Sequence, residues 1–121
     1  MSFTIYRSAQ VQAKCVRQGW GSLSWLAGKA VGNAQGLTLG RVVIRAGQSN
    51  PSHSHANCEE ALYLLAGRLE HFVGSESVLL EPGDTLVVRA GRPHHARCIG
   101  PQDADMIVAY SSGDRDFRKE Q

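Results

Sequence analysis

The sequence predicts an all-β protein, built as an antiparallel sandwich or barrel. Glycine and proline interrupt the chain at short intervals, and the segments between them are rich in Val, Ile, Leu and aromatic residues at strand length. Helical periodicity is almost absent. Because 121 residues suit one domain with one core, we expect residues 1–121 to form a single domain.

Nine candidate strands follow one another along the chain. They are residues 23–26, 37–45, 52–55, 60–65, 68–73, 77–80, 85–88, 94–99 and 105–110. The turns between them have clear chemistry, because Gly67, Gly83 and Gly91 permit tight reversals and Asp84 is placed to bond backbone groups. Many short strands joined by brief turns are typical of a sandwich or barrel.

The composition is that of an ordinary globular protein, with 42% hydrophobic and 20% charged residues. Thirteen Lys and Arg stand against 11 Asp and Glu, and they are scattered, so we expect neither a nucleic-acid nor a membrane partner. No stretch approaches the roughly 20 apolar residues of a membrane span, and the amino terminus lacks the pattern of an export signal.

The three cysteines are Cys15, Cys58 and Cys98, an odd number without a CxxC pair. This argues against a disulfide framework and predicts a reducing compartment, so we expect a cytoplasmic protein. Cys98 shares a strand face with His94, which directs its thiol inward. We expect inert packing there rather than a reactive thiol.

Histidines and glutamates concentrate in the segment GQSNPSHSHANCEEALYLLAG. His53 and His55 are two residues apart and project from the same face if this segment is extended. Glu60 follows a short polar turn and can return beside them on the next strand, whereas Glu59 then faces the other way. Two imidazoles beside a carboxylate form a ligand pattern for hard to borderline metals.

A second cluster, PGDTLVVRAGRPHH, ends with His94 and His95 at the start of a strand. Adjacent residues of an extended strand face opposite sides, so the two histidines must have different roles. We expect one of them to supply a fourth ligand and the other to be structural.

Two motifs make the sequence resemble the cupin superfamily, as a small single-domain member. The first, G-x5-H-x-H-x3or4-E-x6-G, is matched with every spacing intact by Gly47, His53, His55, Glu60 and Gly67. The second, G-x5-P-x-G-x2-H-x3-N, is matched by Gly83, Gly91 and His94, with Arg89 in place of proline and Cys98 in place of asparagine. The resemblance covers residues 37–110.

The resemblance implies a double-stranded β-helix barrel, or jelly roll, in which His53, His55, Glu60 and His94 coordinate one divalent metal ion. Three neutral imidazoles and a carboxylate suit Fe, Mn, Ni, Zn or Cu, and octahedral coordination leaves two positions open. It also implies a homodimer and a small-molecule substrate.

The resemblance leaves several functions open. A dioxygenase-like enzyme acting on a small oxygenated substrate is the preferred hypothesis. A metal-dependent isomerase, lyase or decarboxylase acting on a sugar or carboxylic acid is the first alternative, and a non-catalytic ligand-binding module is the second. The sequence offers no clear catalytic acid or base, since His71 is expected to be solvated or packed.

Arginines and aromatic residues have competing interpretations. Arg41 and Arg89 could bind a substrate carboxylate, but arginines on barrel strands more often reach solvent or pair with an acid. Trp20, Trp25 and Tyr63 could line a pocket, but we expect packing between sheets.

Two segments have unknown surroundings. The run ALYLL, residues 61–65, is apolar on both faces, so its outer face is either a subunit contact or covered by a second sheet of the same domain. The polar tail, residues 111–121, is expected to be loosely ordered or to lie over the surface.

Overall fold

The computed structural model describes residues 2–120 of the chain. Within them lie one helix and eleven strands: α1 Ser8–Ala13, β1 Val16–Gln18, β2 Gly21–Ala27, β3 Thr38–Ile44, β4 His53–Ser54, β5 Glu60–Ala66, β6 Leu69–Val73, β7 Glu76–Leu80, β8 Thr85–Val88, β9 His94–Cys98, β10 Ala104–Tyr110 and β11 Arg118–Lys119. No helix in this part of the chain has the length and apolar character needed to cross a membrane.

The described strands form two antiparallel sheets. One sheet has six strands in the order β1-β2-β3-β10-β5-β8, and the other has five in the order β11-β4-β9-β6-β7. Sequential hairpins join β1 to β2 and β6 to β7, whereas β10 lies between β3 and β5, far from both in sequence. The prediction of an all-β antiparallel fold is confirmed.

All nine candidate strands are present, with ends that differ by up to two residues. The elements that the sequence did not predict are α1, β1 and β11. Each is too short to show a periodic pattern, and neither α1 nor the two strands contain a buried residue.

The core lies between the two sheets because every second residue of the long strands points inward. In β3 and β10 buried residues alternate with more exposed ones along the whole strand. The largest fully buried side chains are Ile44, Leu64, Leu69, Met106, Val108 and Cys98. Both sheets contribute to this cluster, so their inner faces pack against each other through apolar side chains.

Tight turns carry the chain from one sheet to the other. Gly67 joins β5 to β6 with a φ of 82°, a left-handed conformation that favours glycine. A Cβ atom at this position would lie 2.6 Å from the carbonyl oxygen of Asp103, so a side chain would also push the neighbouring segment away. This tight turn therefore joins consecutive strands that belong to opposite sheets.

The outer face of the six-stranded sheet is not covered along β5. Tyr63 and Leu65 are 45% and 46% exposed, and Val87 on the adjacent β8 is 57% exposed. Of the two alternatives for ALYLL, coverage by a second sheet of the same domain is therefore wrong. The expectation that Tyr63 packs between sheets is wrong as well, because its side chain points away from the core.

The carboxy-terminal segment, residues 111–120, lies over one end of the two sheets. Its strand β11 pairs with β4, which places Lys119 opposite His53. Thr38 donates a hydrogen bond to the carbonyl oxygen of Ser112, and the amide of Glu120 donates to the carbonyl oxygen of Ser52. The segment lies over the surface as expected, but hydrogen bonds hold it in place along its length.

Candidate metal centre

The four predicted site residues converge at one end of the core. His53, His55 and Glu60 come from β4, the residue after it and the start of β5, while His94 begins β9. One ligand atom from each lies within 4.8 Å of all the others, and all four residues are buried. His53 and His94 are direct partners in the β4–β9 pair, so their side chains leave the sheet on the same side.

Backbone carbonyl groups orient the three imidazoles. Nδ1 of His53 lies 2.8 Å from the carbonyl oxygen of Pro51, and Nδ1 of His94 lies 2.8 Å from that of Arg92. Nδ1 of His55 lies 2.7 Å from the carbonyl oxygen of Asp116. Since a carbonyl only accepts, each Nδ1 carries a proton and donates it, so that in the neutral form of each imidazole Nε2 has a lone pair for the cluster.

Glu60 lies at the centre of this cluster. Its Oε1 is 3.0 Å from Nε2 of His94 and 3.2 Å from Nε2 of His55. Burial disfavours the carboxylate, but the nearby imidazoles of His55 and His94 outweigh it and hold the pKa of Glu60 below its usual range. Glu60 is therefore an anion inside the protein.

The histidines respond differently to their surroundings. Burial lowers the pKa of His53 to about 4, so this imidazole is neutral at physiological pH. Burial also acts to lower the pKa of His94, but the hydrogen bond and charge of Glu60 outweigh it and raise that pKa above 6.5. Without a metal, Glu60 thus favours a proton on Nε2 of His94, 3.0 Å from its Oε1.

The donor set fits one divalent cation. Nitrogen and oxygen ligands lie about 2.1 Å from a bound zinc ion, so four donor atoms within 4.8 Å of one another are close enough to reach one ion. Moreover, Nε2 of His55 is buried without a well-aligned hydrogen-bond partner within residues 2–120. A cation would satisfy this nitrogen and replace the proton between His94 and Glu60.

The neighbouring residues face as predicted. Glu59 is exposed, whereas Glu60 is buried. His95 points away from the cluster and stacks on Phe72, with ring centroids 4.6 Å apart. Asp84 accepts a hydrogen bond from the amide of Glu81, as expected for this turn.

A cavity of about 260 Å³ opens beside the cluster, lined by His53, Glu60 and His94. Aliphatic side chains of β3, β5 and β10 form much of its wall, together with Trp20 and Trp25. Gly40 makes room for Trp25, because a Cβ atom there would lie 2.7 Å from the indole ring. Both tryptophans also pack against the core, so they have the expected packing role and form part of the cavity wall as well.

His71 is the first residue whose role the sequence interpretation missed. It is packed, as one alternative expected, but it also lines the cavity and stacks on His94 at 5.8 Å between ring centroids. Its Nδ1 is buried without a hydrogen-bond partner in the described residues. Alternation along RLEHFV was the available signal, because an inward Leu69 places His71 inward as well.

Two residues of the carboxy-terminal segment were missed as well. Phe117 stacks on His53 with ring centroids 5.1 Å apart, and Arg115 lines the same cavity. The signal was their spacing, because residues two apart in an extended segment share a face, and Phe117 is apolar within a charged run.

The arginines named from the sequence do not reach the cavity. Arg41 lies on the outer sheet face, where its Nη2 and Nε donate to the carboxylate of Asp105 at 2.6 and 2.8 Å. Arg89 is exposed. Solvent contact and acid pairing, the commoner uses of such arginines, are therefore confirmed.

Cys98 is fully buried and does not line the cavity, in keeping with a packing role. Its Sγ donates to the carbonyl oxygen of Gln102 at 3.1 Å. Cys58 is buried near the cluster, and burial raises the pKa of its thiol. The Cys58 thiol is consequently protonated and poorly nucleophilic at neutral pH.

Comparison with known proteins agrees with this geometry. The family model described as "Cupin domain" matches residues 40–110. Germin-like protein 3-8 of Oryza sativa subsp. japonica is 36% identical over 85 residues, which cover 66% of this chain and 38% of that protein. Tetracenomycin polyketide synthase protein TcmJ of Streptomyces glaucescens is 32% identical over 95 residues, which cover 78% of this chain and 63% of that protein. The chain thus spans less than two thirds of either relative.

A solved structure supports the fold independently. The oxalate decarboxylase of Lactobacillus farciminis, solved as a formate complex, superposes with a TM-score of 0.81 over 88% of this chain and 33% of that chain. The sequence identity is 19%, so this likeness concerns the fold alone.

Proposed function

The chain belongs to the cupin domain family, and from this premise we propose that it is a metal-dependent enzyme acting on a small oxygenated organic substrate. In this proposal His53, His55, Glu60 and His94 bind one divalent transition-metal ion. The observation that carries it is the convergence of three oriented Nε2 atoms and a buried carboxylate at the wall of a cavity.

The donors favour a transition metal over calcium or magnesium, because three imidazoles suit Fe, Mn, Ni, Zn or Cu. When bound, such an ion would polarise a substrate oxygen or, if redox-active, support reaction with molecular oxygen. This donor set supports dioxygenase-like chemistry as the first candidate function.

The chain's own residues would prepare the substrate. Apolar and aromatic walls exclude water from the cavity, which strengthens electrostatic interactions inside it. Tyr110 lies at the same wall, and burial together with the charge of Glu60 raises the pKa of its phenol well above 10. Tyr110 therefore stays protonated, with its hydroxyl beside the Glu60 carboxylate.

One observation favours a second candidate function, a metal-dependent isomerase, lyase or decarboxylase. His71 presents an imidazole without a protein partner for its Nδ1 at the cavity wall, and burial lowers its pKa to about 4. A neutral imidazole at this position can take a proton from a carbon next to a polarised carbonyl. The likeness to an oxalate decarboxylase and to a polyketide synthase protein is compatible with such chemistry.

Elemental mass spectrometry of protein purified without added metal tests the metal site. We expect one transition-metal ion per chain, and loss of that ion in the His53→Ala and Glu60→Gln variants with the β-sheet circular dichroism retained. Stoichiometric metal in both variants, or none in the unaltered protein, would contradict the proposal.

Two assays on a panel of small carboxylates and diols then separate the candidate functions. Oxygen uptake that requires the metal indicates the dioxygenase-like function. Metal-dependent exchange of carbon-bound hydrogen with deuterated water, detected by NMR and absent in His71→Leu, indicates the isomerase or lyase function instead. If the metal-loaded protein shows neither activity, the ligand-binding module is favoured.

We also propose a homodimer in the cytoplasm. Tyr63, Leu65 and Val87 form an exposed apolar strip on the outer face of the six-stranded sheet, as expected for a subunit contact. The thiols of Cys15, Cys58 and Cys98 are free, which suits a reducing compartment.

A further inference from the structure

The carboxy-terminal segment is fixed on both sides of Arg115. The side chain of Asn57 donates to the carbonyl oxygen of Asp114 at 2.9 Å and accepts from the amide of Asp116 at 2.8 Å. One amide side chain thus holds the backbone immediately before and after Arg115. These two hydrogen bonds fix the backbone from which the Arg115 side chain projects.

The guanidinium group of Arg115 lies among aromatic rings. Its Cζ is 4.3 Å from the ring centroid of Trp25, 5.2 Å from that of Tyr110 and 5.3 Å from that of Phe117. Cation–π attraction to three rings holds the group flat against the cavity wall. Nη1 is buried and has no hydrogen-bond partner among residues 2–120.

A buried guanidinium nitrogen without an acceptor is costly, because arginine remains charged and cannot shed a proton to reduce that cost. The neighbouring acids bond to other groups: Glu60 to the cluster histidines, Asp116 to Arg118 and the amide of Ala56, and Glu120 to Ser54. No salt bridge within the described residues involves Arg115. The missing acceptor is therefore water or a bound molecule, and a bound anion would also balance the charge.

Arg115 also lies close to the candidate metal ligands. Phe117 contacts the guanidinium and stacks on His53, while Tyr110 contacts the guanidinium and meets His55 with ring centroids 4.9 Å apart. A single aromatic ring separates the cation from the histidine cluster on each side. A molecule bound to Arg115 would extend along the cavity toward the cluster.

We propose that Arg115 binds a carboxylate group of the substrate, so that the enzyme acts on a monocarboxylic acid with an apolar body. The guanidinium offers parallel N–H donors that match the two carboxylate oxygens, and the largely apolar wall suits the rest of the molecule. This inference rests on the proposed function, since it names the substrate class of the same site.

Intrinsic fluorescence can test the inference without an activity assay. The chain has two tryptophans, Trp20 and Trp25, and both line the cavity. Cyclohexanecarboxylate and its neutral amide serve as matched probes that do not absorb at the excitation wavelength. We expect the metal-free protein to bind the carboxylate at least about tenfold more tightly than the amide.

Variants assign this preference to Arg115. In Arg115→Met the preference for the carboxylate should disappear, and in Arg115→Lys it should be partly retained because the charge remains. Arg41→Met is the matched control, since Arg41 is paired on the outer sheet face and the preference should be unchanged. Circular dichroism and a thermal unfolding curve verify that each variant is folded.

Work on metal-free protein removes direct binding of the carboxylate to a metal as an explanation, and separate metal analysis of Arg115→Met should show unchanged metal content. Loss of the carboxylate preference in metal-free Arg115→Met, together with unchanged metal content in the separate analysis, would support the inference. Equal binding of acid and amide, no binding of either at millimolar concentration, or an unchanged preference in Arg115→Met would overturn it, whether or not the metal proposal holds.

Discussion

The imidazole of His55 is held by the main chain of Asp116, whose carbonyl oxygen lies 2.7 Å from Nδ1. These two residues are 61 positions apart, so the candidate metal centre is completed by the last part of the chain. Hydrogen bonds to the outer nitrogen of a ligating histidine fix its tautomer and typically affect metal affinity. The same segment therefore orients a candidate ligand and carries Arg115.

Asn57→Ala should weaken metal binding about tenfold or more, because the variant releases the backbone on both sides of Arg115 and so loosens the acceptor of His55. Competition between the protein and a fluorescent zinc chelator measures this affinity. Asn33→Ala is the matched control, since Asn33 also makes two hydrogen bonds to the backbone, at Gly28 and Leu26, but lies apart from the cluster. Equal affinities for both variants would show that the segment does not support the site.

The strands and the histidine cluster could be predicted because their signals are local. Apolar segments between Gly and Pro breaks reveal nine of the strands, and His53, His55 and Glu60 lie close enough in sequence for strand alternation to direct them to one site. His94 needed the resemblance to the cupin superfamily, since its pairing with His53 joins distant segments.

The rest of the site depends on distant contacts that leave little trace in the sequence. Arg115 and Phe117 enter the cavity wall because Asn57, His55 and Ser52 bond to the backbone of residues 114–120, about sixty positions away. Polar tails are usually exposed, so composition alone predicted only that residues 111–121 are loosely ordered or lie over the surface. His71 was missed because its alternation with Leu69 shows that it faces inward but not that the cavity lies on that side.

The metal-free protein should lose stability as the pH falls from 6.5 to 4, in part because of His71. Burial lowers the pKa of His71 to about 4 in the folded protein, while an unfolded chain titrates near 6.5. Between these values the unfolded state binds more protons, so protonation favours unfolding by up to about 1.4 kcal/mol per pH unit. Urea unfolding at several pH values measures this slope.

His71→Leu should show a shallower dependence over the same pH range, because leucine cannot take up a proton. At pH 8 the side chain at position 71 is neutral in both proteins, so the difference in unfolding free energy there measures packing alone. Parallel curves for the two proteins between pH 6.5 and 4 would contradict a buried neutral imidazole at this position.

Cys98→Ala should lower the free energy of unfolding by about 1 to 2 kcal/mol and leave metal content unchanged. The fully buried Sγ packs in the core and bonds to Gln102, but does not line the cavity. Chemical denaturation and elemental analysis provide the two measurements. Cys15→Ala is the control, since Cys15 is partly exposed and its truncation should cost less. Lost activity with unchanged stability would instead assign the thiol a role in the reaction.

Leu65→Glu should convert a dimer into monomers, because it places a charge within the apolar strip formed with Tyr63 and Val87. Stable interfaces bury about 800 Å² per partner and tolerate a central charge poorly. Light scattering after size-exclusion chromatography gives the molar mass. Leu79→Glu is the matched control, since Leu79 is 56% exposed but lies on the other sheet and should leave the dimer intact. If the unaltered protein is monomeric, the proposed dimer is wrong. If Leu79→Glu alone causes dissociation, the subunit contact lies elsewhere than on the apolar strip.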